Sequence, residues 1–376
     1  MKTPETSRLF TKKTDPKSGV EYYLLTHKIT KYQQGFYFCN DCMTKDGRYL
    51  WFYVGLYDSL YRLLGVIDFE EDDMYFFEDS LFFDASPYID VETGDAYYVY
   101  RNSIYKHGAA RGSKAEHVVH VPTKGDVRHL ATHLTCNADK TEFLLDILEG
   151  NHSSYVGSVN IKTGTFTKWA DCDFNTNHGQ LNPKNPDIAL AAYDNYGDAI
   201  TGEGFGIPYD ENGNYLRLWT ITRDGKRTTY PPHNGFATHE FWSADGKKIY
   251  YENPQGIHRI NLETGEHINV HECNAWHAFA NENETYYVYD TKMVPDDEFF
   301  RGGPAAVRFY NALTDKEIDI ASYLPATGTP EKPFNYHPDP HPRFVGNEKY
   351  VLFTTSECGG LDIAMVKTEH LVEMTK

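Results

Sequence analysis

Polar turn residues and alternating apolar runs succeed one another along the chain with a regular beat. A short turn led by Asn, Ser, Thr, Glu or Val opens each unit, and a run of apolar and aromatic residues follows it. The units are Thr44-Lys-Asp-Gly to Tyr53, Glu92-Thr-Gly-Asp to Tyr100, Asn137-Ala-Asp-Lys to Leu145, Asn182-Pro-Lys-Asn to Leu190, Ser243-Ala-Asp-Gly to Tyr251, Asn281-Glu-Asn-Glu to Tyr289 and Val345-Gly-Asn-Glu to Phe353. Apolar alternation over this length is the mark of a half-buried strand. Most units carry a second run that also ends in a turn, as in Tyr155 to Gly164, Leu216 to Gly225 and Ile257 to Gly265. Asp-Gly and Thr-Gly between such runs predict hairpins, because Gly supplies the positive φ the turn needs. A spacing of roughly 50 residues is that of one four-stranded propeller blade. The pattern therefore predicts an all-β fold, one seven-bladed β-propeller domain over residues 1–376. Closing the ring also protects strand edges that would otherwise pair with other chains.

The intervals between units are uneven, which marks inserted loops. Asp194 to Pro208 is one and Pro295 to Arg301 another. Propellers carry ligands over the central channel, so loops inserted on one face are expected to wall a cleft there. Gly202, Gly204 and Gly206 have the wrong spacing for a dinucleotide site, and no helical pattern follows them.

Composition narrows the functional classes. Aromatic residues make up 15% of the chain, with 29 Tyr and 22 Phe, which favours sheet over a helical bundle. Thirty-six Lys and Arg against 54 Asp and Glu give a net charge of −18, the wrong sign for non-specific nucleic-acid binding. Mean hydropathy is −0.59, and no apolar run is long enough for a membrane-spanning helix. The first residues, Met1 to Arg8, lack the apolar core of a signal peptide, and six cysteines in so long a chain are no disulfide framework. A cytoplasmic protein is expected. Cys39-Asn-Asp-Cys42 has C-x-x-C spacing, but with neither a following helix nor a second pair it reads as structural.

The histidines carry the chemistry. Of 17, five lie several residues upstream of a unit's turn, in what the pattern makes the innermost strand: His133, His178, His239, His277 and His341. Equivalent positions in a propeller are related by rotation about the channel, so five imidazoles are expected to converge on one axis. In His337-Pro-Asp339-Pro-His341-Pro, strand alternation would place His337, Asp339 and His341 on one side, with His277 from the preceding unit as a fourth ligand. Imidazole and carboxylate together suit a divalent metal, Mn²⁺ or Zn²⁺ before Ca²⁺. The alternative for this segment is a Pro-rich edge with solvent-exposed His.

At these residues the sequence resembles the oligogalacturonate lyases and, more distantly, the ulvan and rhamnosyl-glucuronate lyases. Thr238-His-Glu-Phe-Trp242 followed by Asp245-Gly246 looks like the family's motif, and Leu216-Arg-Leu-Trp219 looks like the strand bearing its catalytic-site Arg. Cys273-Asn-Ala-Trp-His277 lies where the family has its first metal-binding His, and Pro338-Asp-Pro-His-Pro-Arg-Phe344 is similar to its His-Pro-His-Pro ending. The resemblance implies a lyase that cleaves uronate-containing oligosaccharides by β-elimination. It implies His239 as base, Arg217 or a metal neutralising the substrate carboxylate, and His277, His337, Asp339 and His341 around that metal. Asp339 stands where the family has the first His of the ending, and Tyr336 where it has a Gln ligand. By similarity to the ulvan-lyase branch, Tyr193 with His133 or His178 are further catalytic candidates. Two competing readings are a propeller glycoside hydrolase, which needs two carboxylates near the axis, and a non-catalytic binding platform.

Overall fold

The computed structural model describes residues 1–376 apart from 57–58, 84, 124, 151–152, 173–174, 194–210, 214–215, 231–235, 296–297, 299 and 330–337. Seven antiparallel sheets make the seven blades of a β-propeller. The innermost strands, in chain order, are Tyr32–Gln34, Tyr88–Ile89, Thr135–Cys136, Thr176–Leu181, Thr238–Trp242, Ala278–Ala280 and Arg343–Val345. They define blades 1 to 7.

The repeated turn lies between the first and second strands of every blade, and one hydrogen-bonding device recurs in it. The amide of the leading residue donates to a carbonyl five residues on: Thr44 to Tyr49, Asp90 to Asp95, Asn137 to Glu142, Ser243 to Lys248 and Asn281 to Tyr286, all at 2.9–3.0 Å. Its side chain accepts in return. Asn137 Oδ1 takes the amides of Thr141 and Glu142, and Asn281 Oδ1 takes those of Thr285 and Tyr286. Short polar side chains that capture nearby amides are what such turns need. Gly225 and Gly246 sit at φ +86° and +69° with a carbonyl and an amide side chain pressed against the Cα, as their Asp-Gly turns require.

The ring closes through pairing invisible in the repeat. Blade 7 is five-stranded: its three C-terminal strands are continued by Glu21–Leu25 and Phe10–Thr14 from the other end of the chain. Tyr23 pairs with Met365 and Leu24 with Ala364. A short helix, Thr368–Met374, follows the last strand and buries Leu371 against this joint. Between blades, the large buried side chains include Trp51, Trp219, Tyr250 and Tyr287. Trp51 Nε1 donates to the Gly94 carbonyl of the next blade at 3.0 Å. Among the described residues no helix is long and apolar enough to cross a membrane.

Strand direction gives the two faces different characters. First strands run toward the turn face, so second strands end, and fourth strands leave, on the opposite face. The long connections 194–217, 293–304 and 325–342 all join strand ends on that opposite face. The loop expected from Asp194 to Pro208 is one of these and lies outside the described residues, apart from its anchoring strand ends. At the turn face the channel opens into a cavity lined among others by Arg343, Phe241 and Gln180.

Candidate active site

One register rule governs the axis. Counting four residues back from the start of each turn gives Asn40, Ser86, His133, His178, His239, His277 and His341. The five imidazoles are thus equivalent positions of blades 3 to 7, and they meet as expected. Neighbouring ring centroids are 5.0 Å apart from His133 to His178, 6.3 Å to His239, 4.0 Å to His277 and 4.3 Å to His341. Blades 1 and 2 contribute the smaller Asn40 and Ser86, and the gap is filled by Tyr37. Its ring stacks on His133 at 4.3 Å and meets His341 at 4.8 Å, closing the circle. Phe38, fully buried, packs within 5.5–6.5 Å of His277, His239, His341 and Phe241 and seals the channel on the turn side.

The backbone is strained to make this convergence. His178, His239 and His341 adopt φ of 54°, 50° and 46°, a left-handed region that non-glycine residues seldom occupy. His178 and His239 sit at register breaks, between Asn177 and Gln180 and between Thr238 and Phe241. A bulge of this kind re-aims a side chain that regular pleating would send elsewhere, and such strain is concentrated at functional sites. Only these two of the five lie inside an innermost strand. His133, His277 and His341 sit one or two residues ahead of theirs.

Carboxylates on the second strands hold this arrangement. Asp290 accepts the backbone N–H of His277 at 2.8 Å, that of His341 in the next blade at 3.1 Å, and Nδ1 of His277 at 3.1 Å. Asp146 does the same between blades 3 and 4, taking the Thr132 amide at 2.8 Å and the Gly179 amide at 3.2 Å. With Nδ1 of His277 directed to Asp290, coordination of a metal falls to Nε2. Ligating atoms of His277, Asp339 and His341 lie within 4.8 Å of one another. Ligands of one ion at about 2.1 Å sit closer together than this, so the three side chains would draw together on binding one. Two imidazoles and a carboxylate are the donors of first-row divalent ions, so these residues fit such a metal.

The segment carrying Asp339 and His341 corrects the sequence reading. No strand forms over residues 338–342. Pro340 and Pro342 lack the N–H a ladder requires, and His341 is left-handed. Asp339 and His341 converge through this irregular turn rather than through alternation. His337 lies outside the described residues.

A second charged group was partly foreseen. Arg217, immediately ahead of the strand Leu218–Thr222, is 6% exposed. Its Nε donates to Glu240 Oε2 at 3.1 Å, its Nη1 to the Tyr193 carbonyl at 3.3 Å, and its Nη2 lies 3.3 Å from His178 Nδ1. His178 Nδ1 is also 2.8 Å from Glu240 Oε1. Burial alone would raise the Glu240 carboxyl; Arg217 and then His178 reverse that and hold it down at about 2. The Arg217 charge is therefore matched by a protein carboxylate. Tyr193 ends the strand Ile188–Tyr193, 2% exposed, and meets Arg217 through its backbone: its amide donates to the Arg217 carbonyl at 2.8 Å. Glu252, facing Thr238 in register and fully buried, is pushed well above the usual carboxylate range by burial and by the charges of Glu240 and Asp290, with the Ala278 amide pulling the other way.

His239 has the most concentrated surroundings. Its ring is 4.0 Å from His277 and 4.5 Å, edge-on, from Trp276, whose opposite partner is Lys292 with Nζ 3.3 Å from the indole centroid. Tyr37, Glu240 and Asp290 escaped the sequence reading. Glu240 follows His239 directly and was legible as a neighbour but not as the anchor of Arg217. Cys39 and Cys42 are free thiols, raised to about 12 chiefly by burial, which fits a structural pair.

No protein-family model and no curated protein matches this sequence. Solved structures do. An oligogalacturonate lyase in complex with manganese aligns over 96% of this chain and 97% of its own at TM-score 0.75 and 19% identity. The oligogalacturonate lyase of Vibrio parahaemolyticus aligns over 95% and 96% at TM-score 0.74 and 18% identity. A puromycin hydrolase shares 11% identity over 89% of this chain and 52% of its own, at TM-score 0.60. At these identities the likeness is one of fold: over 96% of its length the chain has the seven-bladed propeller fold of the oligogalacturonate lyases.

Proposed function

We propose that this protein is a lyase that cleaves uronic-acid-containing oligosaccharides by β-elimination. The observation that carries the reading is the convergence of five imidazoles from five blades on one mouth of the channel, with His239 4.0 Å from His277 of the candidate metal cluster. A purely structural axis has no use for left-handed histidines, each of which costs stability.

The reaction removes the proton at C5 of a uronate, forms the C4–C5 double bond and breaks the C4–O bond, and the departing oxygen takes up a proton. No water is consumed. The first step needs a general base, and His239, walled by Trp276, fills that role. Negative charge develops on the substrate carboxylate as the proton leaves. A Mn²⁺, Zn²⁺ or other divalent ion on His277, Asp339 and His341 would polarise that carboxylate when bound; Asp290 fixes the His277 imidazole and the His341 backbone for it. Arg217 is neutralised by Glu240 and holds that carboxylate against His178. Glu240 engages Nδ1 of His178 and leaves Nε2 as the atom turned to chemistry, so His178 returns the proton to the leaving oxygen. His178 and His239 are neighbours on the axis, their ring centroids 6.3 Å apart. His133 and Tyr193 support this group from the next blade and the neighbouring strand.

Substitution of His239 by Ala tests the assignment. Loss of turnover by about a hundredfold or more with oligouronate binding retained is the expected result. Turnover within a few fold of wild type would remove His239 from the base role.

A further inference from the structure

A metal-binding imidazole is ordinarily oriented by a hydrogen bond at the ring nitrogen that faces away from the ion. His277 has that support, with Nδ1 3.1 Å from Asp290. His341 is held differently. Asp290 takes its backbone N–H, while its ring packs edge-on against Tyr37 at 4.8 Å and His277 at 4.3 Å. His277 is itself a candidate ligand and would move with the ion. Tyr37 is the neighbour that stays in place while the two imidazoles close.

Tyr37 is built into this position from several sides. Its ring lies flat on His133, 4.3 Å away with 14° between the planes, and Phe38 packs on it at 4.7 Å. Four of the five axial imidazoles have their centroids within 5.8 Å of it. The short axial residues of blades 1 and 2 are turned to other partners. Asn40 Nδ2 donates to the carbonyls of Pro87 and Leu134, and Ser86 Oγ lies 2.7 Å from the Tyr53 hydroxyl. The phenol ring takes their share of the axis. One residue also ties the segment bearing Tyr37 to the turn bearing His341. Thr354, 1% exposed in the second strand of blade 7, accepts the Gly35 N–H on Oγ1 at 3.1 Å. Its own N–H donates to the Pro340 carbonyl at 2.8 Å.

From this we infer that Tyr37 is a positioning residue for the candidate metal site. Its ring holds the His341 imidazole in the orientation of a ligand and braces it against His133 across the gap left by blades 1 and 2. The inference rests on the metal-assisted reading for the ion, while the packing that carries it involves no reacting group. It makes His133 the backing of Tyr37, acting on the ion only through that ring.

The test titrates Mn²⁺ by calorimetry into the protein and its Y37L, Y37F and H133A variants, with thermal melting to check folding. Y37L should bind Mn²⁺ about tenfold more weakly or worse, the size of effect found when a residue that orients a metal ligand is removed. Y37F keeps the ring and should stay within about threefold of wild type, a rescue that a loss of general stability would not give. H133A should weaken binding by itself and add little in the Y37L background, because both changes act through one contact. A Y37L affinity within about twofold of wild type, or Y37F as weak as Y37L, overturns the inference. So does unchanged affinity in H133A, which decides the matter even where Y37L does not fold. Absence of Mn²⁺ binding by wild type removes the metal site and the inference with it. Binding that Y37L weakens and Y37F restores, without uronate turnover by any of them, sustains the positioning role and sinks the lyase.

Discussion

Replacing Glu240 by Gln should destabilise this protein more than almost any other conservative change near the axis. The Glu240 carboxylate is fully buried, 3.1 Å from Arg217 Nε and 2.8 Å from His178 Nδ1. Its folded value of about 2 lies below the range of about 4.3 for an unfolded Glu. At about 1.4 kcal/mol per unit, that shift corresponds to about 3 kcal/mol of stability. The sign follows from the direction: a depressed carboxylate stabilises the fold fully above about pH 5 and ceases to do so as pH falls toward 2. Gln also leaves the Arg217 guanidinium buried without its anion, a loss of about 3–5 kcal/mol for broken buried pairs. With about 2.1 cal/mol/K of unfolding entropy per residue, this chain changes by about 0.8 kcal/mol per degree, so Tm should fall by about 4–6 °C. Calorimetric melting of wild type and E240Q between pH 7 and pH 3 reads both effects. The Tm gap should be widest at neutral pH and narrow as the medium becomes acidic. In R217M/E240Q the cost should be far from the sum of the single changes, because the two groups form one pair. A gap below about 1 °C at pH 7, or one that does not narrow in acid, would refute the reasoning.

Other residues give independent checks. In D290N the charge that orients His277 and His341 is lost, and Mn²⁺ affinity measured by calorimetry should fall about 10- to 100-fold; unchanged affinity would remove Asp290 from its positioning role. Glu252 is raised by burial, so it stabilises the fold at low pH and progressively less as pH climbs above the unfolded value. E252Q should therefore leave Tm unchanged or higher at pH 8 and flatten its decline with pH, and a fall of several degrees would contradict the upward shift of Glu252. Saturating Mn²⁺ at about a hundred times its Kd should add about 2.7 kcal/mol of stability, visible in melting curves and abolished in H277A.

The blade count was legible because its signals are local. A turn led by Asn137 or Ser243 and the strand after it are specified within ten residues, and seven such units suffice to close a ring. The five axial histidines were legible for the same reason, each riding at a fixed distance ahead of its own turn. Tyr37 was not, since it stands seven residues before Thr44, while the rotation-equivalent Asn40 is too short to reach the axis and bonds instead to the carbonyls of Pro87 and Leu134. Nor was the completion of blade 7 by Phe10–Thr14 and Glu21–Leu25, because alternation announces a strand without naming its partner. The work of Asp290 and Glu240 depends on amides and a guanidinium contributed by other strands and blades, contacts that no spacing along the chain encodes. Left-handed backbone at His341 misled the strand expectation directly: side-chain alternation holds only where the pleat is regular.

The most direct measurement follows ultraviolet absorbance while the protein is incubated with a panel of uronic-acid oligosaccharides, with added Mn²⁺ and after chelation. Growth of the unsaturated-uronate band on at least one substrate, lost on chelation and in H239A, is the expected result. Release of reducing ends with no such band would mean hydrolysis, and no product of either kind on any uronate would contradict the lyase assignment.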